Sequence, residues 1–221
     1  MKIPYTEARG LIKEADILLF GAHGFPSIGW WIGKYTHSEY SHVGLAHWED
    51  GRLYCLEFRE FKGSRMYPIS QYILEHPNDM AVFRAVETAI FPVIKFDNFD
   101  GKPYLSYIEH KFSTDIAHAI TNTAKKLLGR PYSYWTIWQM FKTYIPFVRL
   151  RSKIIKNGEP DATDFVCSTL ITYAYRINYC DPIPFLRDKE TTPGDLARSG
   201  LFSYLFSINL DKEDKKVYNK V

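Results

Sequence analysis

Three cysteines in 221 residues, Cys55, Cys167 and Cys180, are too few and too irregularly spaced for a disulfide framework or a zinc ribbon. Their odd number leaves at least one thiol free. A dominant charge sign is missing as well: 28 basic against 25 acidic residues leave a dispersed excess of +3, no footprint for nucleic acid. No run of about 18 apolar residues occurs, which excludes a membrane-spanning helix of the usual kind. Lys2, Glu7, Arg9, Lys13 and Glu14 break up the N-terminal stretch that a secretory signal would keep apolar. The expectation is a soluble, cytoplasmic protein. Internal repeats and low-complexity blocks are also lacking. What is present is a 46% hydrophobic content, enough for a substantial core and read here as one domain over residues 1–210. Residues 211–221, seven of them charged, are expected to form a disordered tail.

The first third of the chain has strand character. Ile17-Leu18-Leu19-Phe20 is an apolar run between Asp16 and Gly21, the pattern of a buried strand, and Trp30–Tyr35 fits a short helix. Ser41–Trp48 and Arg52–Arg59 flank Glu49-Asp50-Gly51, and Asp-Gly between two such runs is a strong hairpin signal. Arg65–Ile69, after a turn at Lys62-Gly63-Ser64, and Met80–Val86 complete an antiparallel meander.

The remainder has helical character. Ser113 or Thr114 caps a helix with Ile116, Ala119, Ile120, Ala124 and Leu127 at helical spacing, ending at Gly129. Tyr134, Trp138, Phe141 and Ile145 continue the period until Pro146. A basic surface loop follows from Arg149 to Asp161. A third helix is expected to begin near Asp164 and run through Tyr175, and Pro193, behind Thr192, starts a short final helix.

Cys167 is the first chemical candidate. With Asp164 as N-cap it would be the third helical residue, where unpaired backbone N–H groups and the helix dipole favour a thiolate and an oxyanion. A lone cysteine is otherwise a small core residue. The hairpin changes that balance. A two-residue type I′ turn at Asp50-Gly51 pairs Glu49 with Arg52, so residues whose numbers sum to 101 face each other. His42 then lies opposite Arg59 and diagonal to Glu57 on the same face. A slip of one residue would separate them. Glu57 sits in Tyr54-Cys55-Leu56-Glu57-Phe58, a setting a carboxylate occupies only with a partner. An imidazole beside a carboxylate is the base and orienter that a nucleophile requires.

Six short segments occur in an order with a family likeness: Asp16-Ile17-Leu18-Leu19-Phe20, Tyr40-Ser41-His42-Val43-Gly44, Leu56-Glu57-Phe58, Leu128-Gly129-Arg130-Pro131-Tyr132, Phe165-Val166-Cys167-Ser168-Thr169-Leu170 and Thr192-Pro193-Gly194-Asp195-Leu196. Over roughly residues 12 to 205 the chain resembles the YiiX-like branch of the permuted papain-like hydrolases of the NlpC superfamily. In that family the order is histidine, third polar residue, cysteine, as it is here. The resemblance implies an α+β, circularly permuted papain-like fold, a small antiparallel sheet or half-barrel packed against helices. It implies Cys167 as nucleophile, His42 as general base and Glu57 as orienting residue, with Tyr132 binding the substrate carbonyl or oxyanion. Packing at a helix start is the plainer alternative for Tyr132.

The chemistry expected is cleavage of an amide, such as a peptide or cell-wall peptide, or of an acyl ester, through a thioester and without metal or organic cofactor. A lipid acyltransferase or phospholipase-like enzyme and a non-catalytic binding module of the same fold are the alternatives. Residues 134–163 depart from the family pattern as a lid or insertion. Within them Trp135, Trp138, Phe141, Tyr144 and Phe147 stand among or before Lys142, Arg149, Arg151, Lys153 and Lys156, which suits contact of residues 134–156 with a membrane surface or an acyl lipid, although a core helix with a solvated loop is the plainer reading. His37 and His47 are not the base, His47 by parity, and His23 is an outside candidate. A zinc site from His42, Cys55 and Cys167 lacks supporting spacing.

Overall fold

The computed structural model describes residues 1–21, 30, 33–34, 36–75, 80–97, 101–134, 165–184 and 186–209. The Trp30–Tyr35 helix falls largely outside the described residues, and His23, the lid, the aromatic and basic segment and the tail lie outside them.

The fold is α+β. Its strands, in chain order, are β1 (Lys2–Pro4), β2 (Ile17–Gly21), β3 (Tyr40–Glu49), β4 (Arg52–Arg59), β5 (Gly63–Pro68), β6 (Met80–Ala85), β7 (Thr88–Phe96), β8 (Pro103–Lys111) and β9 (Phe202–Asn209). The helices are α1 (Tyr5–Ala8), α2 (Ile69–Glu75), α3 (Thr114–Lys125), α4 (Cys167–Ile177) and α5 (Pro193–Ala197). Seven strands form one sheet in the order β1-β9-β6-β2-β3-β4-β5, and β7 and β8 pair with each other as a separate hairpin. The meander holds from β2 to β5. β6 does not extend it but returns to the far side of β2, with α2 between β5 and β6 in the chain. The sheet is also larger than the meander, because β9 adds to β6 antiparallel and β1 joins β9 in parallel.

Both faces of this sheet are covered, which explains the uninterrupted apolar run of β2. Ile17 and Leu19 pack with Val43, Leu45, Leu56, Phe58 and the inner faces of α3 and α4. Leu18 and Phe20 pack on the opposite face with Ala46, Cys55, Tyr5 of α1 and Ile69, Tyr72 and Ile73 of α2. A strand buried on both faces has no polar alternation. Ser113 caps α3 by accepting from the Ile116 N–H at 3.3 Å, and Thr192 and Asp195 form a reciprocal capping box at α5.

Helix α4 begins later than the Asp164 cap would have it. Val166 is extended at φ −121° and ψ 178°, offers no capping side chain, and makes Cys167 the first helical residue rather than the third. The helix also stops before Pro182: Asn178 is its C-cap, and Tyr179 turns left-handed at φ 64°.

Candidate active site

The β3–β4 hairpin builds the first half of the site. Asp50 and Gly51 have φ of 49° and 70°, the left-handed pair of a type I′ turn, and the ladder runs from Glu49↔Arg52 to Leu45↔Leu56. Continued by one step, this register sets Glu57 beside Gly44, where a Cβ would stand 3.6 Å from the Glu57 Cβ. The diagonal neighbour on the same face is His42, and its Nε2 lies 2.5 Å from Glu57 Oε2.

Glu57 is completely buried, so its charge needs partners for both oxygens. Oε1 accepts from Arg65 Nε at 2.7 Å, with Nη2 of the same guanidinium at 2.6 Å. Arg65 stands directly opposite Glu57 in the β4–β5 ladder and lies over the Tyr67 ring, 4.1 Å from its centroid. Burial raises the affinity of Glu57 for a proton. The bond and charge of His42 and the charges of Arg65 and Arg59 outweigh that and hold the carboxyl at about 2.

Cys167 builds the second half from the other layer. Its helix is anchored by Ser168 Oγ donating to the Thr191 carbonyl at 2.6 Å and by Arg176 Nε donating to Asp188 at 2.9 Å. As the first residue of α4 it sits where backbone N–H groups lack intrahelical acceptors. His42 has the strand parity of the opposite layer, but the β2–β3 ladder steps from Phe20↔His42 to Gly21↔Tyr40, skipping Ser41. A bulge of this kind bends a strand and re-aims its side chains. Here it adjoins His42, which interacts with Cys167. Burial disfavours a charged His42 ring. The charge and hydrogen bonding of Cys167, joined by those of Glu57, overcome this and bring His42 to about 9. Both contacts favour the imidazolium, with Nε2 on Glu57.

Tyr132 is placed by a clasp between β5 and the segment after α3. Ser64 N–H donates to the Arg130 carbonyl at 2.9 Å, Arg130 N–H returns to Ser64 Oγ at 2.8 Å, and Ser64 Oγ donates to Leu127. Ser133 N–H then reaches the Phe165 carbonyl, two residues before Cys167, at 3.0 Å. Burial first, and then the charge of Cys167, push the Tyr132 hydroxyl well above its ordinary value, so it stays a donor. Gly63 makes the clasp possible: its φ is +70°, and a Cβ there would overlap the Arg130 carbonyl oxygen. Gly63→Ala is expected to cost about 3 kcal/mol or more, the backbone strain alone being 1–3 kcal/mol. Thermal unfolding measures this, and a variant as stable as the parent would refute the clasp.

The structure thus brings all four sequence candidates, Cys167, His42, Glu57 and Tyr132, into one neighbourhood, and adds Arg65. The other described histidines are used elsewhere or lie outside it. His47 Nδ1 meets Glu14 Oε1 at 2.6 Å, His110 Nδ1 meets the Tyr179 carbonyl at 2.7 Å, and His37 is exposed. Among the described residues no group of three His, Cys, Asp or Glu side chains is placed to hold a metal ion, the His42, Cys55, Cys167 trio included. A cavity of about 800 Å³ lined by Trp48, Arg84, Glu87 and Lys111 is separate from the site.

The mixed sheet with helices on both faces is a YiiX-like α+β fold. The solved structure that shows this is described as the metalloprotein yiiX from Escherichia coli O157:H7, DUF1105. It superposes with a TM-score of 0.52 at 15% identity, covering 87% of this chain and 96% of that one. No family model and no curated protein matches the sequence.

Proposed function

We propose that this protein is a cysteine-dependent hydrolase or acyltransferase of the permuted papain-like, NlpC type, with a Cys167–His42–Glu57 triad. The observation that carries the reading is His42, fixed through Nε2 by a buried carboxylate and interacting with a cysteine at a helix N-terminus. An imidazolium and a helix dipole together favour a thiolate.

The Cys167 thiolate attacks a substrate carbonyl carbon. A C–S bond forms and the carbonyl π electrons move to oxygen, facing the α4 N–H groups and the Tyr132 hydroxyl. Collapse of this intermediate breaks the C–N or C–O bond, and His42 gives its proton to the departing nitrogen or oxygen. Water or another acceptor then attacks the thioester and yields a proton to neutral His42, and the thiolate leaves.

The E. coli neighbour is described as a metalloprotein. The donors here do not fit a metal: Nε2 of His42 and both oxygens of Glu57 are committed to one another and to Arg65. No step is routed through one.

A panel of peptidoglycan fragments, N-acyl amino acids and phospholipids tests the proposal, with product release and mass of the Cys167 peptide as readouts. Turnover with a thioester on Cys167, absent from Cys167→Ala, supports it. Turnover unchanged in Cys167→Ala overturns it. Because leaving-group protonation needs the imidazolium, the rate is expected to fall about tenfold per pH unit above about 9. A pH–rate profile that stays flat from about 8 to 10.5 would contradict this assignment of the acid.

A further inference from the structure

Glu57 is an anion sealed from water, and one of its two bonded partners changes charge during the proposed cycle. His42 is an imidazolium while the site waits and a neutral ring once its proton has gone to the leaving group. At that moment a carboxylate facing only His42 would be an unpaired buried charge. Among the remaining groups around Glu57, Arg59 adds a countercharge. Burial keeps the Cys55 thiol and the Tyr72 hydroxyl neutral, and Arg59 donates to the Tyr72 hydroxyl and lies over its ring. Arg65 differs in geometry. Its Nε and Nη2 both meet Oε1, so one carboxylate oxygen is held by the arginine and the other is left for the histidine.

We propose, on the catalytic reading above, that Arg65 is a positioning residue: it fixes Glu57 Oε1 and supplies a permanent countercharge that keeps Oε2 an anion facing His42 through both halves of the cycle. A guanidinium suits this place because it stays charged at every working pH and its Nε–H bond fixes the position of Oε1. Stacking on Tyr67 holds the plane of the guanidinium fork. Without Arg65 more of the charge of Glu57 falls to the imidazolium, which then releases its proton less readily.

The test is to titrate the His42 ring by NMR and to record pH–rate profiles in the parent, Arg65→Met and Arg65→Lys. In Arg65→Met the His42 titration is expected to move up by about half a unit or more, with kcat down roughly 10- to 100-fold and KM within about twofold. Arg65→Lys keeps the charge but loses the fork. Its titration is expected to stay near the parent's, with kcat reduced only about 3- to 10-fold. A Met variant with unchanged His42 titration and kcat overturns the inference. So does an activity loss that only follows the folded fraction and that Lys does not rescue. Should the Met variant fail to fold, a Lys variant equal to the parent in both readouts also overturns it. The ring titration needs no turnover. A shift in Arg65→Met together with undiminished turnover in Cys167→Ala would therefore sink the catalytic reading, while an unmoved ring with Cys167-dependent turnover would sink only the role of Arg65.

Discussion

Replacing His42 with alanine is expected to slow acyl transfer at Cys167 by about 10²- to 10⁴-fold, the range a single general acid–base group supplies. In the proposed mechanism the loss is large because one ring serves both steps, supporting the thiolate before attack and protonating the leaving group after it. Of the other described histidines, His47 is held by Glu14 and His110 by the Tyr179 carbonyl, while His37 and His118 are exposed. Cys167→Ala removes the thioester route altogether. The two losses are not additive, because each residue acts only through the other. Single-turnover acylation in folded variants measures the effect, and a His42→Ala rate within tenfold of the parent would refute the pairing.

Glu57→Leu is expected to strike the fold as hard as the chemistry. It leaves the Arg65 guanidinium buried without its carboxylate and His42 without its anchor. Breaking a buried pair in this way costs about 3–5 kcal/mol. For a chain of this size the midpoint of thermal unfolding should fall on the order of 10 °C. Glu57→Gln keeps the shape, so its fold should suffer less while His42 loses the anion that helps to hold its proton. The pH dependence separates the contributions. Glu57 is lowered from 4.5 to about 2, so its stabilisation is complete above 4.5 and is lost as pH falls through about 2. His42 is raised from 6.5 to about 9, so its share is complete below 6.5 and is lost as pH rises through about 9. In Glu57→Leu the acid-side loss from this carboxyl should vanish. A Leu variant that unfolds at the parent's midpoint would show that the buried network does not anchor the hairpin.

The His42–Glu57 pair was legible in the sequence because Asp50-Gly51 admits few turns, and a two-residue type I′ turn fixes every pair beyond it. Arg65 was not legible for the opposite reason. The β4–β5 turn runs through Glu60, Phe61 and Lys62, with Phe61 itself left-handed at φ 61°. An apolar residue there hides the turn, and a turn misplaced by one or two residues gives no register. The signal that could have found Arg65 is the burial demanded of Glu57: a carboxylate among Cys55, Leu56 and Phe58 needs a second partner besides a titrating ring.

The strands outside the meander escaped for other physical reasons. β7 carries Pro92 mid-strand, which counts against a strand in any sheet interior but is tolerated in a two-stranded hairpin with only edges. β1 is three residues long and exists only because β9 runs beside it. The helix start at Cys167 was displaced because Asp164 invites a cap, whereas extended Val166 starts the helix without one. The approach of Cys167 to His42 crosses between layers that strand parity keeps apart, and no local pattern announces it.

The most direct measurement is the rate of alkylation of each cysteine by iodoacetamide, followed by peptide-resolved mass spectrometry from about pH 5 to 10. All three thiols are buried, at 0% exposure for Cys55, 2% for Cys167 and 0% for Cys180, so activation is read from the dependence of each rate on pH and on His42. Burial pushes the Cys55 and Cys180 thiols up, which makes them slow references. The account predicts that near pH 6–7 Cys167 reacts at least about tenfold faster than either, and that His42→Ala removes the advantage. A Cys167 no faster than Cys55 and Cys180 across the range, or one indifferent to His42→Ala, would contradict it.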